Sequence, residues 1–347
     1  MREWTVPWPP GAATGLGPLP GTDAVEAARI VFGELGDLPH LPQLPGRGAG
    51  ADPVGRTVAM LVGLHADVLA GRWRIVPRSS RDERRARETL ERDLDVLEDV
   101  GGAHPGPVKI QAVGPWSLAA AVELPRGEKF LADRGATRDL IESLVEGLGQ
   151  HAADVRSRLS RASRVLVQLD EPLLVDVLRG SVASASGWDR LPAPEAGPAE
   201  QVLAAALAAC GGDGGVWCDV DGAPVAMLRR AGARFLAIGD ERLETVVEEE
   251  LGEAVEAGTG FLVGMVSPGS VGAPPADGAA VVRRVWSRLG LGESHWANVV
   301  VTPSADLSDV APARVVDVLR RCRRTARSLR PEADDDGPPD EGGERDR

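Results

Sequence analysis

Six short, mostly apolar runs each stop at a cluster of polar, Gly and Pro residues. VKIQAV (108–113) ends in GPWS, RVLVQL (164–169) in DEP, GVWC (215–218) in DVDG, RFLAI (234–238) in GDE, FLVGMV (261–266) in SPGS and NVVV (298–301) in TPSAD. Amphipathic segments such as 241–257, 276–290 and 310–328 follow them. Runs of this kind, which do not alternate apolar with polar, suit strands covered on both faces, as in a parallel sheet flanked by helices. Two weaker runs nearer the start, RWRIV (72–76) among them, bring the count to eight strand–helix units. Eight units in 347 residues predict an α/β fold, a single-domain (β/α)8 TIM barrel over 12–330, preceded by an N-terminal extension over 1–11. A doubly wound open sheet is the alternative.

Local signals punctuate the first half. Asp23 with Glu26, and Ser80 with Glu83, have capping-box spacing and open helices predicted to run to Leu35 and to about Val100. Further helices are expected over about 54–70 and 137–160, and an extended loop over DLPHLPQLPGRG (37–48). With 43% apolar residues the chain can bury a large core. Of its net charge of −13, the tail PEADDDGPPDEGGERDR (331–347) carries −6, from eight acidic and two basic residues. That tail is expected to be disordered. The modestly acidic remainder argues against nucleic acid as a partner. No apolar run is long enough for a membrane span and the N-terminus has no signal-peptide core, so a cytoplasmic, soluble protein is expected. Cys210, Cys218 and Cys322 form no CxxC pair, and the absence of tyrosine removes one general acid.

Barrels of this kind place their chemistry at the C-terminal ends of the strands. Asp170, Glu171, Asp176, Asp219, Asp221, Asp240 and Glu241 therefore fall at or near one expected mouth, although an acid such as Asp240 ahead of a helix also serves as a cap. GLGPLPG lacks the spacing of a dinucleotide-binding loop, and no GxSxG occurs.

Four segments in order, TGLGPLPGTD (14–23), KIQAVGPWS (109–117), VQLDEP (167–172) and VTPSADL (301–307), resemble the cobalamin-independent methionine synthase family. The likeness is to its catalytic C-terminal barrel, in single-barrel form, over roughly 12–325. It implies methyl transfer from a methyltetrahydrofolate-type co-substrate to homocysteine or a related thiol. It also implies a zinc ion, held by His, Cys, Glu and Cys, that binds the thiol sulfur and stabilises the thiolate. By the same resemblance Asp170 holds the substrate amino group, with Glu171 beside it, and Asp176 stands where the family carries a glutamate. Pro18 lines the amino-acid site, and Gly114 and Ser117 match the family's GPVT segment. A family tryptophan stacks on the pterin, and Trp116 is offset from that slot.

The sequence departs from the family at the metal. If Cys218 takes the family cysteine, the histidine slot holds Val216; if PVAMLRRAGA (224–233) sets the register, Trp217 takes the histidine slot and Asp219 the cysteine slot. The second cysteine falls on Ala305, and the glutamate near Gly239 or Asp240. The remaining candidate ligands are Cys218 or Asp219, according to register, together with Asp240, two at most and short of the three or four that zinc takes. The oxygen set of Asp219, Asp221 and Asp240 suits a harder ion such as Mg²⁺. The alternative to a transferase is a non-catalytic barrel that binds an amino acid or folate.

Overall fold

In the computed structural model, residues 5–218, 221–244, 246, 248–270 and 279–330 are described. The expected acidic tail lies outside them. The helices are α1 (Ala24–Glu34), α2 (Pro53–Met60), α3 (Arg81–Gly101), α4 (Pro115–Ala121), α5 (Arg134–Arg158), α6 (Leu174–Arg179), α7 (Ala196–Ala209), α8 (Val225–Arg230), α9 (Asp240–Leu243), α10 (Glu248–Glu256), α11 (Ala280–Arg288) and α12 (Pro312–Arg327). An antiparallel hairpin, β1 (His65–Leu69) and β2 (Arg72–Val76), stands apart from a six-stranded parallel sheet. The sheet runs in sequence order: β3 (Val108–Val113), β4 (Val165–Asp170), β5 (Gly214–Trp217), β6 (Phe235–Gly239), β7 (Gly260–Val266) and β8 (Val299–Pro303).

The six runs that opened the sequence reading are these six strands, and β3, β4, β6, β7 and β8 are buried along their whole length. The expected unit at RWRIV is not one of them. It pairs with His65–Leu69 because Ala70 and Gly71 both take positive φ (51° and 78°), the geometry of a tight two-residue hairpin turn. The helix expected over 54–70 stops at Met60, and residues 65–69 belong to the hairpin instead. Each proposed capping box forms by half. Asp23 accepts the Val25 and Glu26 amides, and Ser80 Oγ accepts the Glu83 amide at 3.0 Å. The Glu83 carboxylate turns instead to His65 and Arg87.

The two edges of the sheet are not left open. At β8, the Thr14 amide donates to the Val301 carbonyl at 3.0 Å and Val301 donates to Ala12 at 3.1 Å. At β3, Leu41 donates to Lys109 and Lys109 to Pro39, both at 2.9 Å. The two edge segments meet where Leu19 donates to Gln43 at 2.8 Å and Gln43 to Gly17 at 3.0 Å. Residues 12–19 and 39–43 thus link β8 to β3 by isolated bridges rather than as strands, and the sheet curls around an inner face. At the foot of that face Trp8, from the expected N-terminal extension, is buried edge-on to Phe235 at 6.2 Å. Gly260 admits it, since a Cβ there would meet the indole at 2.4 Å.

The helical layer is packed closely enough that α5 crosses α2 with backbone against backbone. A Cβ on Gly147 would sit 2.1 Å from the Met60 carbonyl oxygen. Gly147→Ala is therefore expected to destabilise the protein by about 1–3 kcal/mol through forced separation of the two helices, measured as a lowered denaturant midpoint with an unchanged slope.

Candidate functional site

Strand register decides which side chains face the enclosed side. Val113 pairs with Asp170, Asp170 with Trp217, and Trp217 with Ala237, so these four stand in one row across β3 to β6. Val113, Asp170 and Trp217 line a cavity of about 210 Å³ at the C-terminal end of the sheet. Leu16 and Pro18, carried there by the segment that bridges β8, close it from one side, and Pro172, Leu173 and Asp306 from others. The wall is mostly apolar, with Asp170, Asp306, Gln168 and Ser117 as its polar members.

Asp170 and Glu171 are consecutive, and the strand sends them to opposite sides. The Asp170 Oδ1 accepts from Gln168 Nε2 at 2.7 Å, and burial raises its carboxyl above the ordinary range. Glu171 points at the start of α4. Its two oxygens accept the Trp116 amide at 2.9 Å, the Ser117 amide at 2.8 Å and Ser117 Oγ at 2.7 Å. Burial pushes Glu171 up to about 7, with the Ser117 bonds opposing the rise. Gly114 permits the approach, because a Cβ there would lie 2.5 Å from the Glu171 carboxylate. Ser117 Oγ also receives the Leu173 amide at 3.0 Å, tying α4 to the turn after β4. Glu171, Gly114 and Ser117 thus form an anchor behind the cavity, with Ser117 reaching its wall.

Of the residues singled out in the sequence, Pro18, Ser117 and Asp170 come together at the cavity. Asp176 does not. It is exposed on α6, where Ser181 Oγ donates to it at 2.6 Å. Trp116 is buried on the outer side, its Nε1 donating to the Ala199 carbonyl at 3.2 Å. There it forms part of a larger groove of about 460 Å³ between α5 and α7, away from the strand ends. Sequence reasoning missed Lys109 and Gln168. The signal was present as polar residues spaced by two within buried strands, Lys109 and Gln111 on β3 and Gln168 and Asp170 on β4.

No known protein family's sequence profile matches the chain, and no curated protein matches it. Its fold is similar to that of a B12-independent methionine synthase from Shewanella sp. W3-18-1, solved in complex with selenomethionine. That likeness has a TM-score of 0.61 at 11% identity and covers 92% of this chain and 98% of that one. A Cellulomonas fimi endo-beta-1,4-mannanase matches with a TM-score of 0.37 over 68% of this chain and 58% of that one, at 13% identity. That score carries no argument. At 11% identity the first likeness shows a methionine synthase-like fold and leaves activity to the site.

The zinc expectation can be tested against the donors. Trp217 faces the cavity, so its neighbours Val216 and Cys218 face the helical layer, where both are buried among Val225, Leu228, Leu243 and Leu251. Cys218 is an apolar filler in that layer. Asp240 opens α9, its Oδ1 accepting the Glu241 amide at 2.9 Å, and exposed Asp221 pairs with Arg242 at 2.9 Å. Asp219 lies outside the described residues. Among the described residues no group of three His, Cys, Asp or Glu could hold a metal, so the donors described do not by themselves fit the zinc of the resemblance. Among them too, no helix is long and apolar enough to cross a membrane. After dialysis against trace zinc, the protein is expected to carry far less than stoichiometric metal by elemental analysis, with Cys218→Ala indistinguishable from it. Stoichiometric zinc lost in that variant would reverse the assignment of Cys218.

Proposed function

We propose that this chain is a methionine synthase-like barrel whose cavity binds a small amino acid of the methionine class. On this reading residues 12–19 and 39–43 stand as two reduced staves of an eight-membered ring. The single observation that carries the reading is Asp170, a buried acid with one side-chain donor among the described residues, set into a mostly apolar cavity. A ligand with an ammonium group at one end supplies the missing partner. The Trp217 ring beside Asp170 offers a surface for a thioether sulfur. The selenomethionine in the Shewanella enzyme is a ligand of that class. The volume of about 210 Å³ falls under the range of roughly 300–1,000 Å³ typical of pockets for drug-sized ligands, which favours an amino acid over a folate.

A second reading, methyl transfer to homocysteine from a methyltetrahydrofolate-type donor, rests on the likeness of fold. It requires a way of making the thiolate, and Trp217 occupies the inward position beside Asp170 where a donor would be needed. Binding without transfer is the reading the donor set favours.

Isothermal titration with L-methionine, homocysteine and 4-(methylthio)butanoate tests both. Methionine is expected to bind, and the acid lacking the amine to bind at least about tenfold more weakly. Asp170→Asn is expected to weaken methionine binding by about 10- to 100-fold, the loss of a charge-assisted bond. Equal binding by Asp170→Asn would remove the basis of the proposal. Methionine formation from homocysteine and methyltetrahydrofolate would establish the transfer reading in its place.

A further inference from the structure

Below Asp170, within the curl of the sheet, lies a cation that neither reading uses. Lys109 on β3 is fully buried, and its Nζ donates to Gln168 Oε1 at 2.8 Å. Gln168 Nε2 in turn donates to Asp170 Oδ1 at 2.7 Å and to the Leu16 carbonyl at 3.2 Å. With Lys109 charged, the carboxamide orientation follows from chemistry: an ammonium can only donate, so the Gln168 oxygen faces Lys109 and the NH₂ faces the acid and the carbonyl. The amide dipole therefore lies head to tail between a cation and an anion, and each end strengthens the other in a low-dielectric setting.

We propose that Lys109 is a positioning residue that keeps Asp170 ionised and aimed at the cavity, acting through the Gln168 side chain, so that the cavity selects ligands bearing an ammonium group. This rests on the amino-acid reading for the identity of the ligand, though not for the coupling itself. A buried lysine kept for stability alone would be hard to explain, since replacing a buried charge by an apolar side chain of similar volume is often neutral or stabilising. Its value lies in the state it imposes on Asp170. Burial by itself drives an acid towards its neutral form, and a neutral Asp170 would offer a ligand ammonium no charge to pair with.

The charged and titratable groups around the pair are few. Burial pushes the Lys109 ammonium down to about 7, and the Asp170 charge across the bridge opposes that fall. The buried His40 lies beside it, on the segment that pairs with β3. The His40 Nδ1 accepts the Gly15 amide at 3.3 Å, and burial with the Lys109 charge holds its pKa well below the usual value, so the ring is neutral. Burial raises Asp170, and the Gln168 bond and the Lys109 charge both oppose the rise, while the Asp170 charge in turn raises Glu171 behind it. Asp306 shares the cavity wall and is occupied by Ser308, whose amide donates at 2.8 Å and whose Oγ donates at 2.5 Å. Lys109 is thus the one cation among these groups that favours the Asp170 anion.

The test needs no ligand. The Asp170 Cγ resonance, assigned with Asp170→Asn, is followed by ¹³C NMR against pH in the wild type and in Lys109→Met and Lys109→Gln. In both variants the Asp170 midpoint is expected to move up by about one pH unit or more, the effect of losing one nearby cation. With methionine, the affinity of the wild type should fall as pH drops through the Asp170 midpoint. That limb should move up with it in Lys109→Met, while the plateau at high pH is retained, a pattern that a structural role alone would not produce. An unmoved midpoint in a folded variant overturns the proposal. If neither variant folds, the Lys109 Cε and Asp170 Cγ resonances of the wild type decide: titrations that respond to one another support the coupling, and independent titrations refute it. A shifted midpoint without methionine binding would keep the coupling and reject the amino-acid reading.

Discussion

A parallel sheet that stops at six strands has two edges, each a row of amides and carbonyls that must find partners. Here β3 and β8 find theirs in two segments too irregular to be strands, 39–43 and 12–19, and those segments find each other. Most of the site follows from that closure. The segment that satisfies β8 continues into Leu16 and Pro18, which become one wall of the cavity, and the Leu16 carbonyl receives the second proton of Gln168. The segment that satisfies β3 brings His40 beside Lys109. Without the closure the inner face would be open to water, and neither a buried lysine nor a buried aspartate would have reason to interact through an amide.

The same closure explains what the sequence could and could not reveal. The six strands were legible because burial on both faces leaves short apolar runs, and their length and the Gly and Pro residues that end them mark them as strands rather than buried helix. The segments 12–19 and 39–43 were not, because Gly and Pro make them read as loop, and their pairing is set by tertiary contact rather than by local propensity. The β1–β2 hairpin was hidden for another reason. Its turn is Ala70–Gly71, and alanine with positive φ is not a turn signal that composition gives.

At the site, Asp170 could be placed at a strand end from the DEP segment, and its company could not. The register around Cys218 turned on a single residue, and a shift of one flips every side chain to the other face. The pairing of Asp170 with Trp217 sets that register and leaves Cys218 in the helical layer. Asp176 was expected at the same mouth, where the resembling family carries a glutamate, yet the short helix α6 places it in solvent beside Ser181.

Two neighbouring acids show how one strand end can serve two purposes. Glu171 is satisfied three times over by the start of α4, so it can hold that helix in place but has little left to offer a ligand. Asp170 has one side-chain donor among the described residues, and that donor is itself bonded to a lysine, so its remaining capacity is directed outward into the cavity. Exchanging their environments would need only a one-residue slip, and the two features that forbid it are Gly114, which alone leaves room for the Glu171 carboxylate, and the Ser117 hydroxyl that links α4 to the turn after β4. The specificity of the cavity is therefore built from behind. The anchor fixes the strand end, the fixed strand end turns Asp170 inward, and the buried lysine gives that aspartate a reason to be charged.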